Sequence, residues 1–179
     1  MLKITIPAGE MYDEKTEMFV ETKEQTLKLE HSLVSLSKWE SKWHKPFISS
    51  KKSYVEIVDY IRCMTITQNV DQNVYLFLTN KNVSDVNDYI ENPMTATTIA
   101  EMNNKGRSKE IVTAELIYYW MIALQIPFEC QKWHLNRLLT LIKVCNVKNG
   151  PAKKMSRSEH AAWMAAQNKI RRQKSGSKG

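Results

Sequence analysis

The residues in this 179-residue chain with the most reactive side chains are four histidines, His31, His44, His134 and His160, and three cysteines. Cys130 and His134 stand four apart, a spacing at which one helix would aim both at a zinc ion. Two ligands do not close a tetrahedral site, and no CxxC pair supplies the others. On a helical wheel His134 falls with Leu138, Leu141 and Cys145, so a packed imidazole and a buried thiol account for the spacing. A Cys–His nucleophile would also need an orienting third group, which nothing nearby offers. The carboxylate pairs Asp13/Glu14 and Asp85/Asp88 fall in a turn and at a helix start, where acids stabilise the helix dipole. No phosphate-binding, dinucleotide-binding or nucleophile-elbow glycine motif occurs. The chain therefore reads as a non-enzyme, with no catalytic residue, no metal and no cofactor.

Two surfaces have the composition of binding sites instead. In the segment 128–145, read as one helix, Asn136, Arg137, Thr140 and Lys143 form a polar side, and Trp133 falls on it. Trp and Arg together are common anchors of interfaces, although a Trp there is more often covered by the protein's own fold. The second surface lies near the C-terminus. Trp163, Ala166 and Ile170 recur on one helical face, with Lys169, Arg171, Arg172 and Lys174 around them. Such a segment suits docking into a groove of another protein or phosphate contacts with RNA or DNA. It also suits a solvated end that does neither. Its thin apolar face argues against a membrane-surface helix.

Charge divides along the chain in the same way. From Lys143 onward ten Lys/Arg face one acid, Glu159, for a net +9, while residues 1–142 carry −2. That asymmetry marks a basic extension for an acidic partner on a nearly neutral body. An odd number of cysteines without paired spacing suits reduced thiols and a cytosolic setting. The start, MLKITIP, does not read as a signal peptide, and no apolar run reaches bilayer length.

The elements that must carry these residues follow from periodicity and punctuation. Leu2, Ile4 and Ile6 alternate with polar residues, as do Leu27 and Leu29, so both are strands with one buried face. Met11-Tyr12 and Met18-Phe19-Val20 flank a polar turn at Asp13–Thr16, a hairpin. Together these predict one small antiparallel sheet that needs a helix to lie on. Leu33, Leu36, Trp39 (or Glu40) and Trp43 share the face of a helix over 32–44. Ser53 and Glu56 have capping-box spacing before a helix carrying Ile57, Ile61 and Met64. Asp71 caps a short helix with Val74 and Leu78, and Ser84 is expected to cap one with Val86, Tyr89 and Ile90, ended by Pro93. Residues 95–107 lack a period and read as an exposed connection. Ser108 is the expected cap of a helix that is apolar from Leu116 to Leu124 and so should be enclosed by protein. Ile126-Pro127-Phe128 joins it to the segment 128–145. Asn149-Gly150-Pro151 marks a boundary. The chain thus reads as mostly helical α+β: a globular domain over 1–148, then a basic extension over 149–179 with a helix about 157–172 and a Ser/Gly/Lys end.

Several stretches also resemble a known group: LEHSLVSLSKWESKWHKPF (29–47), DYIRCMT (59–65), PMTATTI (93–99), the block 118–145 and PAKKMSR (151–157). They are similar to tailed-bacteriophage tail assembly chaperones. The resemblance implies a non-enzymatic protein that coats the long helical tape-measure protein before tail tube subunits assemble around it. It implies work in the host cytoplasm and absence from the finished virion. It also implies that a frameshifted longer form recruits tube subunits. It assigns no binding residue; Trp133, Asn136, Arg137, Trp163, Lys169, Arg171 and Arg172 are candidates from the residue pattern alone. A structural tail or connector protein in the virion, nucleic-acid binding through the basic extension, and self-association stay open beside it.

Overall fold

The computed structural model describes residues 1–13, 17–97 and 110–149, together with 161, 164 and 165. The chain divides into two units, Met1–Lys148 and Asn149–Gly179. The first is an α+β body. In it β1 (Leu2–Ile6) pairs antiparallel with β4 (Gln25–Leu29), setting Leu2 opposite Leu29 and Ile4 opposite Leu27. Between them in sequence, β2 (Gly9–Asp13) pairs with β3 (Met18–Thr22).

The expected single sheet is therefore two separate two-stranded ribbons. The ladder stops at Ile6 opposite Gln25 and resumes at Gly9 opposite Thr22. Pro7, which has no N–H to give to a ladder, lies in that gap. The strand pattern itself holds: Ile4, Ile6, Leu27 and Leu29 are all buried.

Five α-helices follow. α1 (Leu33–Trp43) is capped by Ser32, whose hydroxyl accepts from the Ser35 amide while Ser35 Oγ accepts from the Ser32 amide. α2 (Tyr54–Met64) carries the expected Ser53/Glu56 box. Asp71 caps a 3-10 turn over Gln72–Phe77. α3 (Asn80–Glu91) begins earlier than expected, because Thr79 and Asn82 cap each other reciprocally and Ser84 lies inside the helix. Asn at the fourth position does the work usually given to Glu or Gln. The same Asn82 donates through Nδ2 to the Thr5 carbonyl, which ties α3 to β1.

α4 (Ala114–Ala123) is capped by Thr113. Ser108 lies outside the described residues, and 110–113 are not helical. Nor is α4 enclosed, as its all-apolar sequence predicts. Ala114, Ile117 and Met121 are buried, while Tyr119 and Ile122 are 63% and 62% exposed. Among the helices α4 packs chiefly on α1, so one flank is covered and the other is not. The segment 128–145 is likewise not one helix. A 3-10 turn over Phe128–Lys132 ends at Trp133 in extended backbone, and α5 (Leu135–Asn149) starts afresh beyond it.

Leu33, Leu36 and Trp39 of α1 form the core with Tyr60, Ile61 and Met64 of α2, Ile117 and Met121 of α4, and Leu138 of α5. Burying each aliphatic side chain contributes about 1.5–3 kcal/mol. Trp39 satisfies its indole N–H on the Glu56 carbonyl at 3.0 Å. Glu40, the wheel's alternative to Trp39, also points inward. One carboxylate oxygen accepts from the Phe47 amide at 2.6 Å and the other from the Ala114 amide at 2.7 Å, at the start of α4.

In the second unit Ala161, Met164 and Ala165 are helical and exposed. Trp163, Lys169, Arg171 and Arg172, and with them most of the helix expected over about 157–172, lie outside the described residues.

Candidate partner-binding surface

The β2–β3 ribbon presents an aromatic pair left facing solvent. Tyr12 and Phe19 are directly opposite in register and meet edge to face, ring centroids 5.2 Å apart. They are 50% and 67% exposed. Side chains alternate along a strand, so Glu10 and Glu21 share their face, themselves opposite one another. On the other face Gly9 rests on the Phe77 ring, so closely that a Cβ there would fall 2.6 Å from a ring carbon. Toward the tip on that face Met11 and Met18 are exposed again. The ribbon is thus anchored at Gly9, while Tyr12, Phe19, Met11 and Met18 stand exposed. By sequence, residues 9–24 hold six acids and two lysines, net −4. Aromatic rings flanked by carboxylates, with flexible methionines behind, suit a partner that combines apolar and basic side chains.

The Trp133 surface is built differently from its expected form. Trp133 sits on the link before α5, half-buried against the core. Arg137, in the first turn of α5, lays its guanidinium 4.2 Å from the Trp133 ring centroid. Asn136 turns away from both. Its Nδ2 donates to the carbonyls of Ile90 and Asn92, each at 2.8 Å, and so caps the end of α3. The structure brings Trp133 and Arg137 together, but uses Asn136 internally. A second apolar patch lies on the open flank of α4, where Tyr119 and Ile122 stand one turn apart.

The body also holds a buried polar cluster. His31 Nδ1 lies 2.6 Å from the Tyr60 hydroxyl, and the His31 and His134 rings stand edge to face. Burial, reinforced by the nearby His134, lowers the His31 pKa to about 3. Burial also lowers that of His134 and raises that of the Tyr60 phenol. All three are therefore neutral near pH 7. Ser35 Oγ gives its proton to the Ser32 carbonyl, so we assign the Tyr60 proton to the short contact with His31 Nδ1. His31 then carries its own hydrogen on Nε2. His134 Nδ1 accepts from the Asn136 amide, which places its hydrogen on Nε2 for the Tyr89 carbonyl.

Cys130 sits in the 3-10 turn and His134 just before α5, so the two share no helix. Among the described residues no group of three or more His, Cys, Asp or Glu side chains is placed to hold a metal ion. Among them, too, no helix is long and apolar enough to cross a membrane. The ribbon surface was within reach of sequence reading: Met-Tyr and Met-Phe flanking an acidic turn are unusual for a hairpin whose two faces need only one covering. Comparison with protein-family models, characterised proteins and solved structures yields no match.

Proposed function

We propose that this chain is a non-catalytic protein-binding module, a tailed-bacteriophage tail assembly chaperone that holds apolar segments of the tape-measure protein. The observation that carries this reading is the exposed Tyr12–Phe19 pair, with Met11 and Met18, on a ribbon whose Gly9 rests on Phe77. An isolated two-stranded ribbon is marginal in water, and exposed aromatic groups on it gain most by being covered. The flanking Glu10 and Glu21 favour a helix with Lys or Arg beside its apolar stripe. The open flank of α4 offers a second apolar contact. The resemblance in residues 29–47, 59–65, 93–99, 118–145 and 151–157 supplies the identity of the partners, the tape-measure protein and tail tube subunits, and the setting, the host cytoplasm. Co-expression with overlapping fragments of a tape-measure protein tests it: the chain should co-purify with helical apolar fragments, and capture of none would remove the reading.

A second reading rests on the charge of the extension. Net +9 from Lys143 onward suits phosphate contacts with nucleic acid through Lys169, Arg171, Arg172 and their neighbours. Affinity for RNA or DNA should then fall steeply between about 50 and 200 mM salt. A place in the virion as a tail or connector component is distinguished by mass spectrometry of purified particles, where a chaperone is absent.

A further inference from the structure

Between α2, α3 and α5 a cleft of about 370 Å³ opens over the His31 ring. Its walls are apolar, with Phe47, Ile57 and Leu139 among them, and its polar lining is His31, Lys52, Asn87 and Asn136. No Asp or Glu is among the described lining residues. Two hydrogen-bond donors there are unspent. His31 Nε2, which carries the hydrogen, has no partner among the described residues. Ser50 Oγ is the one fully buried side-chain polar atom among them without a partner. His31 is 2% exposed, and its side chain is among those lining the cleft. The Lys52 ammonium gives two of its three hydrogens to the carbonyls of Phe47 and Ser50 and keeps one. It stands 4.1 Å from the Phe47 ring centroid, and the His31 ring centroid is 6.3 Å from the same ring. Lys52 makes no ion pair among the described residues, whereas its neighbour Lys45 is paired with Glu56.

We propose that this cleft binds a small amphiphile with an apolar body and a single carboxylate, the carboxylate meeting Lys52 and the His31 Nε2–H. One cation and one neutral donor in apolar walls balance one negative charge. A phosphate dianion would bury a second charge without a counterion. Burial depresses the Lys52 pKa, while the Glu56 carboxylate acts to raise it. The site is separate from the ribbon surface and does not depend on the chaperone reading.

The test uses the full chain titrated with octanoate, and with 1-octanol as the uncharged control, followed by ¹H–¹⁵N spectra tuned to the histidine ring nitrogens. Octanoate should bind saturably, move the His31 Nε2 resonance, and bind about tenfold or more tightly than 1-octanol. Lys52→Met should remove that preference while the apolar body still binds. Asn87→Trp, an exposed position at the rim, should block both probes without unfolding the protein. Equal affinity for the two probes, an unmoved His31 resonance, or unchanged octanoate binding in Asn87→Trp would each overturn the proposal.

Discussion

The rings of His31 and His134 stand edge to face, 5.1 Å between centroids, and both are held neutral in the folded protein. Each binds a proton in the unfolded chain near pH 6.5, whereas His31 does so in the folded chain only near pH 3. The unfolded state therefore takes up more protons as pH falls below about 6.5. Stability is complete above that pH and is lost progressively toward pH 3, by about 1.4 kcal/mol per pH unit for each histidine still neutral when folded. Urea midpoints at pH 7.5, 6.0 and 5.0 should decline in this order. ¹³C shifts should show both rings neutral at pH 6. Titration of both near 6.5 in the folded protein would contradict the assignment.

Glu40 joins two parts of the fold that its helix alone would not hold. Its carboxylate receives the amides of Phe47 and Ala114, so Glu40→Gln replaces one charged acceptor by a donor facing an N–H. The expected loss is about 2–4 kcal/mol, from an unmet buried amide and a weakened helix start. Thermal denaturation of the variant checks it. A loss below about 0.5 kcal/mol would mean the carboxylate does not hold this junction.

Gly9 has no room for a side chain against Phe77. Gly9→Ala should cost about 1–3 kcal/mol, because the ring must shift or the ribbon base must lift. With Phe77→Ala the same change should cost much less, so the double-variant cycle should be strongly non-additive. Additive losses would place the strain elsewhere.

Asn136 and Arg137 are neighbours with different duties. Asn136→Ala strips hydrogen bonds from the Ile90 and Asn92 carbonyls and should cost about 1–2 kcal/mol. Arg137→Ala uncovers one face of Trp133 and should stay within about 1 kcal/mol. Chemical denaturation of the two variants separates a fold-holding residue from a surface one.

Much of the body is legible from local chemistry. Alternating Leu2/Ile4/Ile6 and Leu27/Leu29, the Ser53–Glu56 box and the Asp71 cap are short-range signals, and the two caps are local in the fold as well. The misreadings are all tertiary or atypical. Thr79 caps α3 with Asn82, a pair outside the usual Glu/Gln pattern. Trp133 breaks a segment whose hydrophobic period runs on through the break. The apolar run 116–124 says that α4 is greasy, but not that only one flank has a neighbour. Asn136 looks like an exposed polar residue until α3 ends beside it. The division into two ribbons depends on Pro7 falling in the gap of a ladder whose register the sequence does not state.

The central claim is that the exposed Tyr12–Phe19 pair of the β2–β3 ribbon holds a partner. It is tested most directly by comparing the wild-type chain with Tyr12→Ser/Phe19→Ser for capture of co-expressed tape-measure fragments. Both residues are exposed, so the double variant should melt within about 1 kcal/mol of wild type. The account predicts that wild type co-purifies with apolar helical fragments and that the equally folded variant does not. Equal capture by the two would contradict it.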